Sequence, residues 1–274
     1  MSLVANTLVS TERIGPAPSL CVDRAGDGQL LLFLHGIGGN RGNWTAQLCH
    51  FGRRFTAVAW DARGYGDSDD YDDALAMADF SDDVIRVADH YGARRIHLVG
   101  LSMGGRIALD SWRRFPDRIA SLTLADTSAG SKETQAPGKV EVFLAARRAP
   151  LLAGQTPAEL APVLVEQIIG PNIGAVQKTH LTDSLAALHS ASYLKTLEMV
   201  TRFTDFPDFA TIDVPTLVIV GSEDRVAPPQ VARAMTDAIP GARLEVIDGA
   251  GHISNVEAPD EFNRVLDHFL ANAE

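Results

Sequence analysis

The sequence predicts an α/β architecture: a mostly parallel central sheet with helices on both faces and an inserted helical cap. Short apolar runs alternate with helix-length amphipathic segments across residues 29–125. The composition then changes, because residues 140–208 have a helical pattern, rich in alanine and leucine and broken by prolines. The strand pattern resumes at residue 212. We therefore predict an α/β core formed by residues 1–130 and 212–274, with a cap formed by residues 131–211.

Local patterns predict the individual elements. Apolar runs predict strands at residues 29–34, 55–60, 96–100 and 119–125, and amphipathic spacing predicts helices at 44–51, 78–91 and 103–115. After a polar linker at 127–138 and the cap helices, strands are predicted at 214–221 and 244–248, before a final helix. We expect the cap to lie over the carboxyl edge of the sheet and to shape a substrate pocket. Helices that only pad the fold are the alternative.

A sharp turn between a strand and a helix carries the clearest chemical signal. Residues 100–104 form the pattern G-x-S-x-G of a nucleophile elbow, with Ser102 at the corner. Glycine is needed on both sides of the serine, because a Cβ there meets neighbouring backbone. The N-terminus of the following helix offers free N–H groups and partial positive charge. The strand, the motif and the helix together predict that Ser102 is a nucleophile.

A serine nucleophile needs a histidine base, and His252 is the best placed candidate. It follows a strand and a loop of small residues, which can bring an imidazole to the carboxyl edge of the sheet. The other downstream histidines, His180, His189 and His268, lie in helical sequence with no turn beside them. The expected chain order on this type of fold is serine, acid, histidine, which His252 also satisfies.

The acid that orients the histidine is predicted to be Asp224. It lies in a loop just past the apolar strand 214–221, where catalytic groups gather in open α/β sheets. Asp126 also follows a strand and is the second candidate, although we interpret it first as a carboxylate that caps a loop. Glu223 is the neighbour to exclude.

The developing oxyanion needs hydrogen-bond donors, which two turns can supply. The strand at 30–34 runs into His35 and a glycine-rich turn, so the backbone can aim the N–H of Ile37 at the serine. The N–H of Met103 is the second predicted donor. Losing one such donor typically raises the barrier by about 3–4 kcal/mol. His35 itself precedes the turn, and we predict a structural role for it.

Composition excludes several functional classes. A net charge of −11 over 274 residues disfavours nucleic acid or an anionic membrane as a partner. Two cysteines indicate neither a disulfide framework nor a cysteine metal site, and we expect neither a metal nor an organic cofactor. Residues 1–8 have no basic segment or long apolar run, so we expect no signal peptide, no membrane span and a cytoplasmic location. The expected partner is a small-molecule substrate, and the oligomeric state is left open.

Five motifs in family order make the chain similar to the α/β-hydrolases. They are His35-Gly36-x-Gly38, Asp61-x-Arg63-Gly64-x-Gly66-x-Ser68, Gly100-x-Ser102-x-Gly104, Gly221-x-x-Asp224 and Gly251-His252. Within that superfamily, residues 100–105, 124–127 and 251–257 resemble 3-oxoadipate enol-lactonases, which open a small lactone in aromatic-compound catabolism. The 35–44 loop also resembles hydrolases that cleave carbon–carbon bonds in ring-fission (meta-cleavage) products. Those usually carry asparagine before the nucleophile, whereas this chain has Leu101.

The resemblance implies a serine hydrolase of a small carboxylic ester or enol-lactone. Enol-lactone substrates are anionic, so the pocket should hold a cation, and Arg147 and Arg148 in the cap are the candidates. Both cannot face one pocket, and a solvated helix face is the alternative. Trp44 either lines the pocket or packs the first helix. Two other functions stay open: a hydrolase-fold receptor for a small molecule, and oxygen chemistry with a His–Asp pair.

Overall fold

The computed structural model describes residues 8–129 and 138–273. Its sheet has eight strands: β1 (Val9–Ile14), β2 (Leu20–Ala25), β3 (Leu30–Leu34), β4 (Thr56–Trp60), β5 (Ile96–Leu101), β6 (Ile119–Ala125), β7 (Thr216–Gly221) and β8 (Arg243–Ile247). The strand order is β1-β2-β4-β3-β5-β6-β7-β8, and all pairs among β3 to β8 are parallel. The predicted α/β fold with a mostly parallel sheet is confirmed.

The first two strands are an addition to the predicted architecture. β1 and β2 pair antiparallel with each other, and β2 also pairs antiparallel with β4. β1 pairs with one strand only and is exposed along most of its length, so it needs no continuous apolar run. The sequence of β1 therefore lacks the apolar run that predicts the buried strands.

Ten α-helices surround the sheet in the described residues. They are α1 (Thr45–Phe51), α2 (Met77–His90), α3 (Met103–Arg114), α4 (Lys139–Leu152), α5 (Pro157–Ile168), α6 (Ala175–Ala186), α7 (Ser190–Arg202), α8 (Pro229–Ala238), α9 (Ser254–Glu257) and α10 (Pro259–Leu270). None of them is both long and apolar enough to cross a membrane.

Apolar side chains cover both faces of the sheet. Along β3, Leu30, Leu32 and Leu34 belong to one buried cluster, whereas Leu31 and Phe33 belong to a second one. Successive side chains of a strand point to opposite faces, so this division shows a core on each side. A strand buried on both faces is apolar at nearly every position, which is why the sequence predicts β3.

Four helices, α4 to α7, stand between β6 and β7, and we refer to them as the insertion. Apolar residues of α5 and α6, including Val165 and Leu185, belong to the same buried cluster as β3 and α10. The insertion therefore packs on the α/β core. Of the predicted linker at 127–138, residues 130–137 lie outside the described part of the chain, as do residues 1–7.

Candidate active site

Three side chains from distant parts of the chain meet at the carboxyl ends of the parallel strands. Ser102 follows β5, Asp224 follows β7 and His252 follows β8. Nε2 of His252 lies 2.9 Å from Oγ of Ser102, and Nδ1 of His252 lies 2.8 Å from Oδ2 of Asp224. The imidazole thus bridges the hydroxyl and the carboxylate that the sequence singled out. Asp224 and His252 are both buried.

The backbone at Ser102 adopts a strained conformation that the flanking glycines permit. Its φ is 54° and its ψ is −111°, a region that costs a non-glycine residue about 1–3 kcal/mol. A Cβ at position 100 would lie 2.2 Å from the carbonyl oxygen of Gly104, and one at position 104 would lie 2.1 Å from that of Leu34. Both contacts are far too short, so the turn can form only with glycine at these places.

The turn after β3 lies directly against the elbow. A Cβ at Gly36 would lie 3.2 Å from Cβ of Ser102, which shows how closely the two turns approach. In the described part of the chain, the backbone N–H groups of Ile37 and Met103 have no hydrogen-bond acceptor. Met103 is the first residue of α3, where N–H groups are free and the helix dipole is positive. One backbone N–H group in each of the two turns is therefore free to donate a hydrogen bond.

His35 holds this turn and is not positioned as a base. Its Nδ1 lies 2.8 Å from the carbonyl oxygen of Gly36 and its Nε2 lies 3.1 Å from the backbone N of Ala62. Burial lowers the pKa of His35, so the ring is neutral, donating through Nδ1 and accepting at Nε2. The imidazole thereby connects the turn after β3 to the loop after β4.

Asp224 is held as an ion. Its Oδ1 accepts the N–H groups of Val226 at 2.7 Å and Ala227 at 2.9 Å, while Oδ2 faces the imidazole. Burial by itself raises the pKa of this carboxyl, but the hydrogen bonds from His252 and the two N–H groups outweigh it and lower the pKa. An ionised Asp224 favours the tautomer of His252 that leaves Nε2 free to accept a proton.

Asp126 has a different set of partners. Its Oδ1 accepts the N–H of Gly221 at 2.9 Å, and its Oδ2 accepts the N–H of Ser254 at 3.0 Å and the hydroxyl of Ser254 at 2.6 Å. It therefore connects the end of β7, three residues before Asp224, to the start of α9, two residues after His252. Burial, together with the nearby charge of Asp224, raises the pKa of Asp126 to about 7.

This raised pKa makes a prediction about stability. The native carboxyl keeps its proton up to about pH 7, whereas an unfolded aspartate loses it near pH 4, so folding takes up a proton between these values. Stability is then lost as the pH rises through this window. We expect the free energy of unfolding of Asp126→Asn to fall less between pH 5 and pH 8 than that of the wild type, as measured by urea denaturation. Asp82→Asn, at an exposed position of α2, is the control. An equal pH dependence in Asp126→Asn and the wild type contradicts the prediction.

A cavity of about 170 Å³ opens beside Ser102 and His252. Its walls are mostly apolar and come from both the core and the insertion, which contributes Leu164, Ile168, Leu181 and Leu197 among others. Three further side chains bring polar groups to it: Asn43, Arg147 and Tyr193. Helices of the insertion therefore contribute to the lining of this cavity. The volume of the cavity is smaller than that of most ligand pockets, which favours a small ligand.

Trp44 is not among the residues that line this cavity. Its side chain is fully buried, with ring centroids 4.9 Å from Phe33 and 6.0 Å from Phe262. Of its two predicted environments, the structure shows core packing, and the expectation that Trp44 contacts substrate is corrected. The preceding residue, Asn43, lines the cavity instead, and the sequence carried no separate signal for it. Tyr193 was also missed, because one tyrosine on an amphipathic helix is typical of packing.

The two adjacent arginines of α4 diverge. Arg147 lines the cavity, and its Nη2 donates to Oε1 of Gln167 at 3.1 Å in an exposed hydrogen bond outside the cavity lining. Its guanidinium carbon lies 5.6 Å from the ring centroid of Phe143. In the described part of the chain no carboxylate pairs with Arg147. Arg148 instead forms an ion pair with Glu198 of α7. The cavity therefore holds one cation whose charge is not neutralised by a described side chain.

One cluster among the described residues has the composition of a metal site. Possible ligand atoms of Cys21, Asp61 and Asp67 lie within 4.8 Å of one another. The guanidinium of Arg41 contacts both carboxylates, so a cation of the protein already neutralises them. This group therefore braces the turn after β3 and does not fit a metal ion.

Comparison with known proteins identifies the family of this chain. Residues 29–259 match the family model described as the alpha/beta hydrolase fold. A 3-oxoadipate enol-lactonase of Acinetobacter baylyi is 28% identical over 242 residues, which cover 88% of this chain and 88% of that protein.

Two solved structures have the same fold over nearly the whole chain. The enol-lactonase from Burkholderia xenovorans has a TM-score of 0.77 at 25% identity, covering 98% of this chain and 99% of that one. A thermophilic esterase from Thermogutta terrifontis has a TM-score of 0.82 at 25% identity, covering 97% and 99%. The chain is therefore a member of the α/β-hydrolase fold family, and we identify it as a hydrolytic enzyme.

Proposed function

We propose that this protein is a serine hydrolase that cleaves a small carboxylic ester or enol-lactone through an acyl-enzyme. The observation that carries the proposal is the continuous chain of contacts from Oγ of Ser102 through His252 to Asp224, at 2.9 and 2.8 Å. A hydroxyl in contact with an imidazole, itself oriented by a carboxylate, is the arrangement that activates a serine nucleophile.

The reaction proceeds in two steps. Oγ of Ser102 bonds to the carbonyl carbon while Nε2 of His252 takes the hydroxyl proton, and the N–H groups of Ile37 and Met103 bind the oxyanion. The bond to the leaving oxygen then breaks, and His252 gives the proton to the departing alkoxide or enolate oxygen. In the second step His252 takes a proton from water, whose oxygen attacks the acyl carbon. The bond from the acyl carbon to Oγ then breaks, and His252 returns the proton to Oγ, which releases Ser102 and a carboxylic acid.

The proposed substrate is small and carries a carboxylate. The cavity is small and mostly apolar, and Arg147 brings to it a positive charge without a described counter-ion. The enol-lactonases and the esterase among the similar proteins suggest the class of bond. In this proposal residues 131–211 form the cap over the site, where it shields the reacting groups from bulk solvent and still admits the water that hydrolyses the acyl-enzyme.

Arg147→Ala is expected to weaken hydrolysis of carboxylate-bearing esters selectively. A charged hydrogen bond contributes about 1.5–3 kcal/mol, so kcat/KM should fall roughly 10- to 150-fold for an anionic ester. A neutral ester of the same size should lose little. Arg148→Ala is the matched control, because the side chain of Arg148 forms an ion pair with Glu198 outside the cavity. Equal losses on both esters, measured by steady-state kinetics, contradict a carboxylate-binding role for Arg147.

Two measurements test the proposed chemistry. Intact-mass analysis after treatment with a fluorophosphonate should show one adduct, located on Ser102 by peptide mapping. Rates on an enol-lactone, a plain aryl ester and a ring-fission diketone should favour the oxygen esters. A faster reaction with the diketone instead establishes the carbon–carbon hydrolase, and tight binding with negligible turnover of all three compounds points to a receptor.

A further inference from the structure

Glu257, the last residue of α9, connects the insertion to the loop that carries His252. Its Oε2 accepts the backbone N–H of Gly170 at 2.7 Å and that of Gly251 at 3.0 Å. Its Oε1 accepts the N–H of Ile253 at 3.2 Å. Gly251 and Ile253 are the two neighbours of His252 in the chain, whereas Gly170 belongs to the turn after α5. One carboxylate thus holds both flanks of the histidine and one point of the insertion.

The same turn also contacts His252 directly. The backbone N–H of His252 donates to the carbonyl oxygen of Ile168 at 2.7 Å. The two backbones are packed so closely that a Cβ at Gly251 would lie 2.4 Å from the backbone N of Gly170. No side chain fits between them, so any displacement of the turn after α5 directly displaces the loop that carries His252.

The loop that carries Asp224 is also hydrogen-bonded to this turn. Arg225, the residue after Asp224, donates through Nη2 to the carbonyl oxygens of Glu166 at 3.1 Å and Ile169 at 3.0 Å. The end of α5 is therefore anchored from the acid side by Arg225 and from the histidine side by Glu257.

We propose that Glu257 is a positioning residue that makes the placement of the His252 imidazole depend on how residues 168–170 of the insertion seat against the sheet edge. This inference rests on the proposed function, because it assigns Glu257 to the same site. Without the carboxylate, three backbone N–H groups lose their acceptor, and two of them flank His252. An insertion lifted from the sheet edge also removes the carbonyl of Ile168 from the histidine. The base is then correctly aimed only when the insertion is seated, which couples proton transfer to closure over the substrate.

A purely structural role for Glu257 leads to a different result. If the role is only structural, substitution of Glu257 lowers the amount of folded enzyme and its melting temperature, but leaves kcat per active site unchanged. A positioning role lowers kcat of the folded enzyme with KM unchanged, because an error of about 1 Å at a reacting group can cost roughly 100-fold in rate. Active sites are therefore counted by fluorophosphonate titration before rates are compared.

The variants are Glu257→Ala, Glu257→Gln and Glu257→Asp, assayed with a p-nitrophenyl ester in the full-length protein. We expect Glu257→Ala to lose about 10- to 100-fold in kcat at unchanged KM. Glu257→Gln should recover most of it, because an amide oxygen in place of Oε2 still accepts from Gly170 and Gly251. The side chain of Glu257→Asp is one methylene shorter, so this variant should lose kcat as Glu257→Ala does. It tests the positioning role if Glu257→Ala does not fold. Glu261→Gln is the control, because that side chain is exposed on α10 and pairs with Arg264.

Hydrogen exchange supplies a readout that does not depend on turnover. Glu257→Ala should exchange faster than the wild type in peptides that cover residues 168–172 and 249–257, and elsewhere at the same rate. An unchanged kcat in folded Glu257→Ala or Glu257→Asp overturns the inference. If the wild type shows no Ser102-dependent hydrolysis, the proposed function is overturned instead. In that case faster exchange of both segments in Glu257→Ala still supports the coupling between the insertion and the histidine loop. Unchanged exchange overturns that coupling.

Discussion

Ser102→Ala is expected to abolish ester hydrolysis, with kcat reduced on the order of 10⁶-fold. The hydroxyl is the group that bonds to the carbonyl carbon in the proposed mechanism, and its contact with Nε2 of His252 at 2.9 Å has no substitute in an alanine side chain. The measurement is steady-state hydrolysis of a p-nitrophenyl ester, with enzyme concentration high enough to detect a residual rate.

The same variant should keep its fold and its pocket. Alanine occupies the strained backbone at position 102 as serine does, because both have a Cβ and the glycines on either side are unchanged. Circular dichroism and the melting temperature should match those of the wild type closely, and the fluorophosphonate adduct should disappear. Wild-type turnover in folded Ser102→Ala would remove Ser102 from the mechanism.

Asp224→Asn has the second largest expected effect, a loss of about 10⁴-fold in kcat. An asparagine can place its oxygen towards the N–H groups of Val226 and Ala227, which leaves its NH₂ group facing Nδ1 of His252. That donor stabilises the tautomer with hydrogen on Nε2, which cannot accept the proton of Ser102. The fold should survive, since the side chain keeps its volume.

Asp126→Asn is the matched comparison for this prediction. Asp126 is equally buried and also follows a strand, but its oxygens contact Gly221 and Ser254 rather than the imidazole. We expect its kcat to fall far less than that of Asp224→Asn, in parallel assays at the pH of maximal activity. A larger loss in Asp126→Asn than in Asp224→Asn would transfer the acid role to Asp126.

Much of the fold was readable from local patterns. Strands β3 to β7 are almost entirely buried, so each one is mostly apolar, although β5 contains His97 and β6 contains Ser121 and Thr123. The elbow was readable because its serine and two glycines form a five-residue pattern, although the backbone that requires glycine at position 104 is that of Leu34. The edge strand β1 was not, because an exposed strand with one neighbour places few demands on its side chains.

The pocket was less predictable than the nucleophile. Arg147 and Arg148 are adjacent in sequence, and neighbours on a helix point about 100° apart, so one faces the cavity and the other faces Glu198. Which one does so depends on how α4 is rotated against α7. For the adjacent residues Asn43 and Trp44, just before α1, the sequence likewise does not show which one faces the cavity. In the structure Trp44 lies in the core.

By itself the sequence determined the α/β fold class, the order of the core elements from β3 onward and the three residues to consider for catalysis, because each of these depends on spacing along the chain. Only the tertiary structure decided that the imidazole of His252 faces Asp224 and not Asp126, that Arg147 and not Arg148 reaches the cavity, and that Glu257 joins the insertion to the histidine loop. Those outcomes depend on the direction of side chains and on contacts between segments as many as 150 residues apart, which no local pattern encodes.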